Sequence, residues 1–204
     1  MGLNLEIAKD LLAIKAVQIN TDEYFTWTSG LKSPIYCDNR LTMSYPLVRE
    51  KIIKAFVQKI KEMPEKPDVI AGCATAGIPH AAWLADALNL PMVYVRSAPK
   101  GHGKGNQIEG HIEPGQRVVV IEDLISTGGS VIESAQALQQ AGAVVINVLA
   151  IFTYGLEKSV QGFESANLSF ETVTNYDELL NFLNEDGKIN DVEKQELEAW
   201  RNNL

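Results

Sequence analysis

Apolar residues gather into four runs rich in β-branched side chains: Val69-Ile70-Ala71, Met92-Val93-Tyr94-Val95, Val118-Val119-Val120-Ile121 and Val144 to Phe152. The runs are continuous rather than alternating, the pattern of strands covered on both faces. Ile78 to Leu88 separates the first two and has helical spacing, with Pro79 suited to a first turn and Asn89 and Pro91 as stop signals. Ser130 to Gln140 separates the last two, between Gly128-Gly129 and Gly142. Strand alternating with helix predicts an α/β fold, a mostly parallel sheet flanked by helices with right-handed crossovers. Helical spacing also marks Leu5 to Val17, Pro46 to Lys61 and the tail from Tyr176. The expected organisation is one domain over 1–204, with a core at about 65–155 and a cap from about 1–45 and 156–204. The connection from Arg96 to Arg117 breaks the pattern. It holds Gly101, Gly103, Gly105, Gly110 and Gly115 and little apolar periodicity, as a functional loop or lid does.

With 204 residues, 46% of them hydrophobic, the chain has material for a real core. Its net charge of −8 and scattered basic residues exclude a nucleic-acid surface, which needs clustered Lys and Arg. No secretory signal is read at the start and no apolar segment reaches membrane-spanning length, so no membrane partner is expected. Cys37 and Cys73 are too few for a disulfide framework and are not spaced as a zinc site, which predicts a reduced, cytoplasmic setting. They read as small buried residues, since neither sits in a histidine-base arrangement.

The chemistry concentrates after the third run, in Glu122-Asp123-Leu124-Ile125-Ser126-Thr127-Gly128-Gly129-Ser130. Glycines allow close backbone approach, and N–H groups at a helix start hold a phosphate. The paired acids sit at a strand's carboxyl end, where open α/β sheets bind ligands. Two carboxylates would repel that phosphate unless they face sugar hydroxyls or a magnesium ion, so a phosphorylated sugar is indicated. A Walker pattern is absent, because neither Gly103-Lys104 nor Gly187-Lys188 is followed by Ser or Thr. Asn184 to Gly187 followed by Glu193 imitates a calcium loop, but Phe182 stands where the first ligand belongs, so a turn is expected.

This stretch resembles the signature of the type I phosphoribosyltransferases, which use phosphoribosyl pyrophosphate (PRPP). Three more stretches resemble the orotate branch of that family: Phe25 to Asp38, its base-binding region; Cys73 to Ala81, its pyrophosphate turn; and Arg96 through Gly110, its mobile catalytic loop. The resemblance implies transfer of ribose 5-phosphate from PRPP to orotate, giving orotidine 5′-monophosphate and pyrophosphate in UMP synthesis. It further implies Mg2+ held mainly through PRPP, and a homodimer whose sites are shared across the interface.

By the same resemblance, Glu122 and Asp123 meet the ribose, with Leu124 and Ile125 beside them, and Ser126, Thr127, Gly128, Gly129 and Ser130 hold the 5′-phosphate. Ala74, Thr75, Ala76 and Gly77 form the pyrophosphate turn. Arg96, Lys100 and His102 also contact PRPP, and Lys100, His102 and Asp123 are the catalytic set. Ser126, Lys32, Ile35 and Tyr36 contact orotate. The chain departs from the family pattern at Thr28 and Ser97, where many members carry Lys. His80 and His111 read as structural, and Tyr24, Phe25 and Trp27 as core. Two alternatives are a PRPP-sensing regulator, weakened by the missing basic face, and a transferase for a purine, which would not carry the Phe25 to Asp38 segment.

Overall fold

The computed structural model describes residues 2–21, 23–26, 30, 32–98 and 107–204. The N-terminal part runs α1 (Leu3–Ala13), β1 (Val17–Ile19), β2 (Phe25–Thr26), β3 (Lys32–Ser33), β4 (Ile35–Cys37), a 3-10 helix (Asn39–Ser44) and α2 (Pro46–Glu62). Next come β5 (Val69–Cys73), α3 (Gly77–Leu88), β6 (Met92–Val95), β7 (Ile108–Glu109), β8 (Arg117–Ile125), α4 (Gly129–Gln140) and β9 (Val144–Thr153). The chain ends with α5 (Glu157–Ser165), β10 (Phe170–Asn175), α6 (Tyr176–Glu185) and α7 (Asp191–Asn202).

The four apolar runs are the four central strands of a six-stranded sheet ordered β10-β9-β8-β5-β6-β7. Neighbours are parallel except β7, which pairs antiparallel with β6. From β5 the chain winds outward through α3 to β6, and from β8 it winds the other way through α4 to β9. The order therefore reverses between β5 and β8, and ligands bind in the crevice outside the carboxyl ends of strands at such a switch point.

Side chains alternate across the strands and build two cores. Ile70, Val119, Ile121, Leu149 and Ile151 pack with Ile7, Leu11, Ile52, Phe56, Leu84, Leu179 and Leu180, from α1, α2, α3 and α6. Val69, Ala71, Val118, Val120, Val148 and Ala150 pack with Val131, Ala135, Leu138 and Phe163, from α4 and α5. Both faces of the sheet are thus covered, which is why the runs are apolar without a break.

The structure differs from the sequence pattern in several places. The first helix stops at Ala13 rather than Val17, because Lys15 takes a positive φ and Val17 pairs with Cys37. β8 runs four residues beyond the apolar stretch, so Glu122 and Asp123 lie within the strand rather than after it. The sheet also takes β10 from a segment past 155 that the pattern assigns to the cap. The calcium-like segment is a turn between α6 and α7, where Glu193 accepts from the Asn190 N–H at 2.7 Å to complete a capping box. No helix among the described residues is long and apolar enough to cross a membrane.

α3 approaches the β5 and β8 seam closely because two of its contact points lack side chains. A Cβ on Gly72 would stand 2.9 Å from the Ile78 Cα, and one on Gly77 would collide with the Ile121 carbonyl oxygen. Gly77→Ala is expected to destabilise the fold by about 1–3 kcal/mol through overpacking, read as a drop of roughly 2–12 °C in Tm.

His80, in the first turn of α3, is fully buried, so it is structural as the pattern suggests. Burial, and then the charge of Arg49, push its imidazole down to about 4 from 6.5. The unfolded chain therefore binds more protons between those two pH values, and stability falls as pH drops through that window. The Tm advantage of the native chain over His80→Gln should shrink from pH 7 to pH 4 in thermal melts.

Candidate active site

The crevice at the switch point is built from the last residues of β5 and β8 and the turns that leave them. After β5, the Ala74 N–H donates to the Val95 carbonyl at 2.9 Å, pinning the turn Ala74 to Gly77 against β6. Its Ala74–Thr75 peptide is cis. α3 then starts with no side-chain cap. After β8, Ser126 and Thr127 lead to Gly128 at φ +83°, a conformation that glycine adopts without steric cost, and α4 also starts with no side-chain cap. Two helix starts without side-chain caps thus flank one crevice; at α3 the Ile78 N–H donates to the Thr75 carbonyl at 3.3 Å and Pro79 has none, so the first-turn N–H groups of α4 are the more open to an anion.

The two acids between these helix starts leave the strand on opposite faces, as neighbours on a strand do, yet their carboxyls stay within reach of each other. Glu122 shares the face of Val118 and Val120 and is 6% exposed, near Cys73 and beneath α4. One of its oxygens accepts from the Asp123 N–H at 2.9 Å. Asp123 turns to the other face, toward Cys37 and Arg40. The Asn39 amide donates to the Asp123 backbone carbonyl at 2.7 Å.

Burial, and then the Asp123 charge, push the Glu122 carboxyl well above the usual carboxylate range. Burial also raises Asp123, opposed by its hydrogen bond with Glu122. The pair therefore carries less than its full negative charge near neutral pH, which lowers the repulsion a phosphate would meet. Burial and the nearby carboxylates raise both thiols, so neither Cys37 nor Cys73 offers a thiolate.

Beside this crevice stands the hairpin β2/β3. Lys32 donates to the Thr26 hydroxyl at 2.7 Å, and the Trp200 indole of α7 donates to the Lys32 carbonyl at 3.2 Å. Tyr36 is 38% exposed, with its ring centroid 5.8 Å from that of Phe25. Ile35, expected at the base, is fully buried in the core, so its side chain supports the hairpin instead of lining the opening. Ile125 is likewise buried in the core on the α4 face. Ser126 is half-buried, and Thr127, Gly129 and Ser130 are exposed at the crevice. Arg96 sits at the foot of the long connection, where its N–H donates to the Gln107 carbonyl at 2.9 Å and its guanidinium meets Glu109 at 3.4 Å. Lys100 and His102, with Trp27 and Thr28, lie outside the described residues. Tyr24 is 40% exposed rather than core, and His111 is exposed and paired with Glu113.

The sequence pattern passes over two residues next to the acids. Arg40 grips Asp38 with two hydrogen bonds, at 2.6 and 2.9 Å, and holds that carboxyl below its ordinary range. Asn39 is almost fully buried. A polar run, Asp38-Asn39-Arg40, directly after the apolar β4 is the signal that marks them.

Comparison with known proteins agrees with this geometry. Residues 44–166 match the phosphoribosyl transferase domain family. An orotate phosphoribosyltransferase of Oceanobacillus iheyensis is 63% identical, the match covering 99% of this chain and 100% of that one. One from Fusobacterium nucleatum is 57% identical over 99% of this chain and 97% of its own. The crystal structure of orotate phosphoribosyltransferase from Aeropyrum pernix superposes with a TM-score of 0.74 at 28% identity, covering 90% of this chain and 99% of that one. With its helix-start cradles and paired acids at one switch point, and with relatives of this identity along its whole length, the chain belongs to the orotate phosphoribosyltransferase family.

Proposed function

We propose that this chain transfers ribose 5-phosphate from PRPP to orotate, releasing pyrophosphate and supplying orotidine 5′-monophosphate for pyrimidine synthesis. The observation that carries this reading is the meeting of two uncapped helix starts with an acidic pair at the switch point. The 5′-phosphate rests on the N–H groups from Ser126 to Ser130, and the pyrophosphate on the turn Ala74 to Gly77 beside Arg96. Asp123 and Glu122 accept from the ribose hydroxyls. Orotate lies toward Ser126, Lys32 and Tyr36, with Lys32 facing its negative charge.

The base nitrogen gives up its proton to solvent and bonds to the anomeric carbon as the bond to pyrophosphate breaks, and the electron pair of that bond leaves with the pyrophosphate. The anomeric carbon passes through an oxocarbenium-like state, which the Asp123 carboxylate stabilises by charge. Lys100 and His102 close over the leaving group and exclude water. Hard carboxylate oxygens at the strand end suit Mg2+. Mg2+ would be held chiefly by PRPP oxygens with Asp123 nearby, and when bound it neutralises charge on the pyrophosphate. The reaction belongs in the cytoplasm, where Cys37 and Cys73 stay reduced.

Pyrophosphate release from PRPP, measured in parallel with orotate, uracil, adenine and hypoxanthine, tests the substrate. Turnover with orotate alone is expected. Release with a purine would point to a transferase for another base, and release with none of them to a PRPP-sensing regulator. Asp123→Asn and Glu122→Gln should each lower kcat/KM for PRPP by about 10- to 100-fold, the scale of a lost charged hydrogen bond, without lowering Tm.

The active form is proposed to be a homodimer in which Lys100 and His102 serve the partner's site. Mixing Lys100→Ala with Asp123→Asn subunits should then restore roughly a quarter of native sites, because half of randomly exchanged dimers are hybrids with one intact site of two. Hybrids confirmed by differently tagged chains that stay as inactive as their parents would show that the loop serves its own subunit.

A further inference from the structure

A buried polar chain ties the cap to the acidic strand. Asn39 is 1% exposed, and its amide donates to the Asp123 carbonyl at 2.7 Å across 84 residues of sequence. Its backbone carbonyl accepts from the Thr42 hydroxyl at 2.6 Å. Thr42, fully buried, lies 3.4 Å from the His80 Nε2 in the first turn of α3. The single Thr42 hydroxyl hydrogen is committed to Asn39, so Thr42 meets His80 only as an acceptor. That places the His80 proton on Nε2 and leaves Nδ1 as an acceptor. The two buried side-chain atoms found without a partner among the described residues are His80 Nδ1 and Asn39 Oδ1, both in this chain.

Each unpartnered buried acceptor costs about 1–3 kcal/mol. Apolar side chains would fill the same space without that cost, as they do elsewhere in this core. Packing therefore does not account for Asn39. Its amide does one thing an aliphatic side chain cannot do: it fixes the backbone carbonyl of the acid facing the cap.

We propose that Asn39, braced by Thr42, is a positioning residue that sets the backbone, and through it the carboxylate direction, of Asp123 for PRPP. Its place just after β4, which carries Tyr36, also couples a proposed base contact to the ribose acid, so the two substrate cradles share one rigid link. The proposal rests on the reading of Asp123 as a ribose ligand.

Asn39→Ala should raise KM for PRPP about ten-fold, the scale of one lost buried hydrogen bond, with KM for orotate changed by less than about two-fold. A double-mutant cycle separates positioning from general support. If Asn39 acts through Asp123, its replacement costs little more kcat/KM in an Asp123→Asn background, whereas additive losses would overturn the proposal. Should Asn39→Ala fail to fold, Thr42→Val and Thr42→Ser decide. Val removes the brace and should reproduce the rise in PRPP KM; Ser keeps the hydroxyl and should restore it. Folded variants with native PRPP KM beside an impaired Asp123→Asn protein would overturn this proposal alone. A native-like Asp123→Asn protein would remove the ribose assignment and this one with it.

Discussion

The start of α3 lies against the backbone of β8, and only a hydrogen atom fits between Gly77 and the Ile121 carbonyl. That contact sets the distance between the turn leaving β5 and the acids that follow Ile121. Gly72 allows the same approach from the strand side, beneath Ile78 and Ala81. A wider seam would separate the two helix starts that are proposed to hold the phosphate and the pyrophosphate of one sugar. The switch in strand order supplies the crevice, and the missing side chains make it narrow enough to use.

Charge is the second constraint. An acidic protein that handles a phosphate, a pyrophosphate and an anionic base must limit repulsion at the point where they meet. Burial of Glu122, with the charge of Asp123 beside it, holds back ionisation of the pair. Backbone N–H groups supply positive ends without adding ionisable groups. Arg96 stands at the base of the loop whose Lys100 and His102 are proposed to complete the cationic side.

The cap is tied to the sheet at points the site uses. Trp200 of α7 donates to the Lys32 carbonyl, so the last helix braces the β2/β3 hairpin. The Tyr176 hydroxyl donates to the Leu197 carbonyl at 3.2 Å and fastens α7 to α6. α6 shares the core of α1 and α2 through Leu179, Leu180 and Leu183. Both ends of the chain therefore support one side of the crevice, the side that Asp123 faces.

Local pattern alone determined the four central strands, the helices between them and the glycine turn that opens α4. Each is written in contiguous residues, as an unbroken apolar run, helical spacing, or glycines beside hydroxyls and acids. Strand order, the entry of β10 into the sheet and the burial of Ile35 and Ile125 were decided only by tertiary packing. So was the contact of Asn39 with Asp123, which no local periodicity encodes because the two residues meet only after α2, α3 and the sheet have assembled. Even the helix predicted to reach Val17 yields at Ala13, since pairing with Cys37 outweighs its local spacing. Propensity acts over a few neighbouring residues, whereas a binding crevice is a relation between segments far apart in the chain, and its geometry is settled where those segments pack.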